Sequence, residues 1–290
     1  MGRMSEQSKT NWLVRPAGRT GLERLEAYFS GHGFDPHRHD TYAIGLTLAG
    51  VQSFSYRRAM RHSTPGMAMV LHPDELHDGH AGSEEGFRYR MVYVQPALVQ
   101  EILGGAPLPF VEGGLCADPA LIRAASRILR DFEGHREPIE EDDHLLDLVE
   151  ALSALNGRPN LRRPLNLKAA ETARELIHGS MERTVTLDEL ARASDCDRWS
   201  LSRDFKALFG TSPYRYLTMR RLDKVRDRLA AGHSLADASL AAGFFDQAHM
   251  TKHFRRAYGV TPASWARMLL GPDGHLLHDR TSAAPDADLA

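Results

Sequence analysis

Between Leu25 and Val94 the chain alternates apolar and polar positions with a period of two, in short runs such as YAIGLTLAG, VQSFSYR, MAMVLH and FRYRMVYV. Successive side chains on a strand point to opposite faces, so this period predicts antiparallel strands. Gly50, the turn from Thr64 to Gly66, and Gly86 break the runs at the spacing of a small barrel or jelly roll. Beyond Pro119 the period lengthens. Leu121, Ile122, Ala125, Ile128, Leu129 and Phe132 form one helical stripe, and Leu145, Leu148, Val149, Leu152 and Leu155 form a second. Such helices either cover a sheet or pair two copies of a chain.

From Leu167 to Leu270 the spacing is helical throughout, with Gly and Pro falling between segments, and it predicts seven helices. Thr186 and Glu189 have the spacing of a capping box, Asp197, Ser234 and Asp246 stand at N-cap positions, and Pro213 and Pro262 follow Ser212 and Thr261 at helix starts. The third and sixth of these helices coincide when one is slid 49 residues onto the other. Leu201 then meets Met250, Arg203 meets Lys252, Phe205 meets Phe254, Gly210 meets Gly259, and Pro213 meets Pro262. A short Ala-rich helix and a tight turn precede each, which is a helix-turn-helix arrangement occurring twice. Met250, Phe254, Ala257 and Tyr258 face inward. Ala248, His249, Lys252, Arg255 and Arg256 are left outside, as Trp199, Ser200, Arg203 and Lys206 are on the earlier helix. The long helix between the units spans about 28 Å, so two such faces reach major-groove segments about one turn apart.

Charge sharpens this picture. The whole chain has a formal net charge of -2, yet Pro164 to Leu270 carries 17 Lys and Arg against 12 Asp and Glu, and Met1 to Arg163 carries 18 against 22. A basic module hidden in a near-neutral chain is the footprint of a polyanionic partner. The basic module is also expected to have its own core and to fold alone. Two cysteines, Cys116 and Cys196, one on each side of the expected linker, do not indicate a disulfide framework and fit a reducing compartment. The first residues lack the apolar core of a signal peptide, and no run approaches the ~20 apolar residues of a membrane span. A cytoplasmic protein without membrane contact is expected.

The stretch GFFDQAHMTKHFRRAYGVTPASWAR resembles the signature of AraC/XylS-type transcription regulators. The resemblance covers about Lys168 to Leu270. It implies base-edge contacts from Trp199, Ser202, Arg203, Gln247, His249 and Lys252, and phosphate contacts from flanking basic residues. Ala248 and Lys252 stand where that family often has longer polar or Arg side chains, which shifts direct reading toward the first unit. With this match, PHRHD at His37 and His39 and HPDELHDGH at His72, His77 and His80 resemble the two halves of a cupin-like effector-binding barrel.

A cupin enzyme would add a carboxylate to His37, His39 and His77, and here only Asp40 is near, directly adjacent to His39 and on the wrong side of the pleat. Three imidazoles alone hold zinc, so metal stays open, but the histidines are read first as facing an organic effector, with Tyr42, Tyr56, Tyr89 and Met91 beside them. Neither a cofactor nor a catalytic residue is expected. The expected architecture is two-domain α+β. It runs from an N-terminal arm (1–24) through a cupin-like antiparallel β-barrel (25–118), a helical segment that is a candidate for dimerisation (119–157) and a linker (158–166) to an all-α double helix-turn-helix domain (167–270) and a flexible tail (271–290). The resemblance implies an effector-controlled transcription regulator, an activator more often than a repressor. Its partners would be double-stranded promoter DNA, a small molecule, a second copy and RNA polymerase. The alternatives are a cupin metalloenzyme with a DNA-attachment module and a nucleoid binder with no effector.

Overall fold

The computed structural model describes residues 11–16, 18–130, 132, 137–156 and 164–270. Among them ten strands form two antiparallel sheets. They are β1 (Trp12–Val14), β2 (Leu22–Phe29), β3 (His32–His37), β4 (Tyr42–Gly50), β5 (Gln52–Tyr56), β6 (Ala59–Ser63), β7 (Ala68–Leu71), β8 (His77–Ala81), β9 (Phe87–Val94) and β10 (Leu115–Cys116). One sheet has the order β1-β2-β9-β4-β7-β10 and the other β3-β8-β5-β6. The period-two pattern decides what each face meets. Ala27, Phe29, Met69, Phe87, Tyr89 and Met91 of the larger sheet turn toward Phe54 and Tyr56 of the smaller one. The alternate positions Tyr42, Ile44, Leu46, Val70, Val92 and Val94 turn outward, where helices cover them.

Those helices are α1 (Pro96–Leu103), α2 (Pro119–Leu129) and α3 (Pro138–Leu155). Asp118 caps α2 through the amides of Ala120 and Leu121. The two apolar stripes foreseen from the sequence, including Leu121, Ile128, Leu145, Leu148 and Leu152, pack on each other and on the larger sheet. The stretch read as an arm contributes β1, which pairs with β2 from Trp12↔Tyr28 to Val14↔Glu26. Most of the predicted linker and all of the predicted tail lie outside the described residues.

The predicted seven helices follow as α4 (Leu167–His178), α5 (Leu187–Ala193), α6 (Arg198–Phe209), α7 (Pro213–Ala230), α8 (Leu235–Ala241), α9 (Gln247–Tyr258) and α10 (Pro262–Leu270). Thr186, Asp197, Ser212, Ser234 and Asp246 each accept a backbone N–H of the helix that follows. The helices do not share one self-contained core, and here the structure corrects the sequence reading. Leu190, Leu201, Phe205, Leu208 and Phe209 of the first unit pack with α4, with Tyr216 and Leu217 of α7, and with Ala97 of α1 from the N-terminal half. Met250, Phe254, Ala257, Trp265 and Leu269 of the second unit belong instead to the cluster that holds the barrel's Leu13, Leu25, Leu71 and Met91.

Candidate nucleic-acid interface and effector cavity

The two helix-turn-helix faces are built alike. In the first, the Asp197 carboxylate accepts from the amides of Trp199 and Ser200, which fixes the start of α6. Trp199 is 65% exposed. Arg203 and Lys206 are exposed on the same side, and Arg203 donates to Ser200 Oγ at 2.9 Å. Ser202 is half-buried. In the second, Asp246 accepts from the His249 amide at 2.6 Å, and Gln247, His249 and Lys252 are exposed. A groove-facing basic helix anchored on an apolar core is the geometry that reads base edges. α7, at 18 residues, is about 27 Å long and joins the two units.

The C-terminal half of α9 departs from the expected free basic face. Arg255 bonds Asp35 of β3 at 2.8 Å, the Arg38 amide donates to the Arg256 carbonyl at 3.1 Å, and the Asp35 amide donates to the Gly259 carbonyl at 2.9 Å. Gly259 has φ +69°, and a Cβ there would lie 2.6 Å from the Asp35 carbonyl and 2.7 Å from His37 Nδ1, so glycine both ends the helix and admits the strand. Arg255 is therefore paired with the barrel.

Three more arginines, all on α7, cross to the barrel. Arg220 donates to both oxygens of Asp40, at 3.0 and 2.8 Å, with side chains 5% and 1% exposed. Arg226 pairs with Glu23, and Arg215 with Asp74 at 2.6 Å. Burial pushes Asp40 up to about 6, against the pull of Arg220. Glu23 stays below the ordinary carboxylate range because, although burial raises it, Arg226 and Arg15 outweigh that. Part of the basic excess read as a polyanion footprint is thus neutralised by the acidic half of the same chain. Asp40, rejected as a metal ligand, has this other role.

Between the two halves lies a cavity of about 640 Å³. His37, His39, His77, Tyr89 and Met91 line it as expected, joined by Gln52, Leu71 and Tyr93 from the barrel and by Met219, Arg226, Tyr258 and Trp265 from the helical half. Arg226 lies 4.9 Å from the Tyr258 ring and 5.5 Å from the Trp265 ring. These last four could not be foreseen, because their spacing reads as ordinary helix core. Tyr42 and Tyr56 do not line the cavity. Tyr42 falls on the outward register of β4 and donates to the Pro109 carbonyl at 2.6 Å. Tyr56 is fully buried, with its hydroxyl 2.6 Å from His72 Nδ1. His72 Nε2 accepts the Val111 amide at 2.9 Å, which leaves Nδ1 to donate to Tyr56.

His37 and His77 are direct partners across β3 and β8, and His39 follows β3. One ring nitrogen of each lies within 4.8 Å of the others. Burial and mutual repulsion hold His37 and His39 well below the ordinary histidine range, and burial lowers His77 to about 4, so all three are neutral at pH 7. Tyr89 and Tyr93 are raised by burial and remain protonated.

Residues 19–149 match the AraC-like ligand binding domain, and residues 190–268 match a helix-turn-helix domain. The chain is 25% identical over 237 residues to the uncharacterized HTH-type transcriptional regulator YbfI of Bacillus subtilis, covering 78% of this chain and 86% of that one. It is 30% identical over 92 residues to the probable transcription factor PqrA of Proteus vulgaris, 31% of this chain and 75% of the relative. Among solved structures, ToxT from Vibrio cholerae superposes with a TM-score of 0.64 at 12% identity, over 87% of this chain and all of that one. ToxT with a bound unsaturated fatty acid superposes at 0.62 and 13% identity, over 90% and 95%.

Proposed function

Because the chain belongs to the AraC-type transcription regulators, with a ligand-binding N-terminal domain and a helix-turn-helix DNA-binding domain, we propose that an effector in the shared cavity controls how the second helix-turn-helix unit meets DNA. One observation carries this reading: the cavity is walled by both halves, so its occupant touches the barrel and α7, α9 and α10 together. A ligand shifts an equilibrium only through contacts that differ between two states, and these contacts are lost if the halves part.

On this reading α6 reads base edges through Trp199, Ser202 and Arg203, while Lys206 and Ser200 meet phosphates. α9 adds Gln247, His249 and Lys252 once freed from β3, and Arg255 and Arg256 then turn to the DNA backbone. The lining suggests an amphipathic anion. Leu13, Leu25 and Leu71 provide an apolar bed, and Arg15 and Arg226, which now share Glu23, offer cations for which a carboxylate would compete. The fatty acid held by the Vibrio cholerae protein fits that chemistry. The protein acts in the cytoplasm as a regulator, more often activating through RNA polymerase than repressing, and carries out no turnover. Among the described residues no helix is long and apolar enough to cross a membrane. Pairing of two copies through the outer side of α3, where Ile139 and Leu146 are exposed, would double the DNA footprint.

The test is selection of bound duplexes from fragmented chromosomal DNA, followed by affinity measurements with and without oleate as the cavity probe. A sequence-specific set whose affinity shifts by about fivefold or more with oleate, and not in Arg226→Ala, supports the reading. Equal recovery of all fragments would point to a nucleoid binder.

A further inference from the structure

The three barrel histidines present an arrangement that an organic effector does not require. His37 Nδ1 lies 2.8 Å from the Asp35 carbonyl, His39 Nδ1 2.9 Å from the Thr41 carbonyl, and His77 Nδ1 2.9 Å from the Glu75 carbonyl. A carbonyl only accepts, so each Nδ1 carries its ring's proton and each Nε2 is left with a lone pair. Each ring is fixed by the backbone two residues away, and the three rings meet edge to face or tilted, with centroids 4.2, 4.8 and 6.1 Å apart. His39 Nε2 is buried with no hydrogen-bond partner. Three inward lone pairs repel one another unless a cation lies between them. A backbone carbonyl on the far nitrogen is the outer-shell partner that metal-bound imidazoles use.

We propose that His37, His39 and His77 form a binding site for a divalent transition metal, zinc foremost, with its fourth position open to the cavity. Ring nitrogens bind zinc at about 2.0–2.1 Å, so the rings need only tip inward by about an ångström from their present spacing. Neutral imidazoles are the donors that suit this class, and no carboxylate is needed to complete three ligands. Gln52 lines the same cavity, and its Oε1 is buried without a partner, an acceptor for a metal-bound water. Three neutral ligands leave the full double charge on the ion, so the open position favours water or an anionic group of whatever occupies the cavity. The site stands on the histidines alone and holds whether or not an organic effector binds beside it.

Placement gives the site a reach beyond the barrel. His37 closes β3, the strand whose Asp35 amide is tied to the Gly259 carbonyl at the end of α9, and the Arg38 amide just beyond it is tied to Arg256.

Full-length protein stripped with a chelator is titrated with Zn²⁺ against a chromophoric competitor, and with Co²⁺ by visible absorption. One equivalent of Zn²⁺ per chain and the intense visible bands of four-coordinate Co²⁺ are expected. His39→Ala should weaken Zn²⁺ binding by at least about 100-fold, beyond what loss of an outer-shell partner costs. Because that variant could misfold, His77→Cys supplies a positive signal: a thiolate-to-Co²⁺ charge-transfer band arises only if position 77 is a ligand. Wild type, whose Cys116 and Cys196 lie elsewhere, should lack the band. The exposed pair His249 and His253 on α9, with Nε2 atoms 3.0 Å apart, is a second place for metal, so His249→Ala/His253→Ala is the control and should keep the equivalent. Loss of Zn²⁺ in that control with retention in His39→Ala, no binding against the competitor, or no charge-transfer band in folded His77→Cys overturns the proposal.

Discussion

The two helix-turn-helix units share a plan and differ in surroundings. Each has an Asp-capped recognition helix of 12 residues ending in a left-handed glycine, Gly210 or Gly259. The first unit rests on α4, α7 and Ala97 of α1, and among the described residues α6 presents Trp199, Arg203 and Lys206 without an acidic partner from the barrel. The second shares its apolar cluster with the barrel, and Arg255 of α9 is paired with Asp35. A sequence repeat therefore specifies two similar helix-turn-helix units, while their surroundings differ: α6 packs on α1 and leaves its basic side chains unpaired with the barrel, and α9 is tied to β3 by an ion pair and backbone bonds.

The largest expected effect breaks the link between the halves. Arg220→Ala leaves Asp40 buried and unpaired, and should cost about 3–5 kcal/mol in urea unfolding. Lys206→Ala on the first unit should change stability by less than about 0.5 kcal/mol. Equal losses in the two variants would mean that both units are equally independent of the barrel.

The halves should also differ in acid. His72 is lowered to about 4 by burial, from 6.5 unfolded, so its neutral form stabilises the fold above pH 6.5 and that contribution drains away as pH falls toward 4. At about 1.4 kcal/mol per unit this amounts to roughly 3 kcal/mol at the acid end. His72→Gln should flatten the fall in melting temperature between pH 6.5 and 4. An unchanged slope would show that another group carries the acid sensitivity.

On the first unit, Arg203→Ala should weaken binding to a selected duplex by about 1–3 kcal/mol while affecting a scrambled duplex less. Lys252→Ala should cost less than that as long as α9 is docked. Discrimination unchanged in Arg203→Ala removes α6 from base reading.

The smallest effect sharpens the comparison. Asp35→Ala removes a half-exposed ion pair, so stability should change by less than about 1 kcal/mol. Loosening α9 should nonetheless raise affinity for the selected duplex, and the gain should vanish when Lys252 is also replaced. Weaker DNA binding in Asp35→Ala would mean that docking on β3 helps α9 to read.

Much was legible in the chain because it is local. Strand alternation, helix stripes and caps depend on residues a few positions apart, and the 49-residue repeat is visible as paired residue types, so both helix-turn-helix units and the strands were foreseen. The histidine trio was named, and five of the seven candidate effector residues reach the cavity. Tyr42 was misplaced because aromatic residues in strands look alike until the register shows which face each occupies, and Tyr56, though it faces inward, is held by His72 away from the cavity. Arg226, Tyr258 and Trp265 were missed because their cavity wall exists only where two halves meet. Arg220 and Asp40 are 180 positions apart, and neither carries a local mark of its partner. The sequence by itself determined the elements, the repeat and the basic faces, since near-neighbour sterics and hydrogen bonding write them residue by residue. Only the tertiary structure decided which charges cancel, which unit is docked and where three imidazole lone pairs converge, because those depend on distances between segments that chain order leaves open.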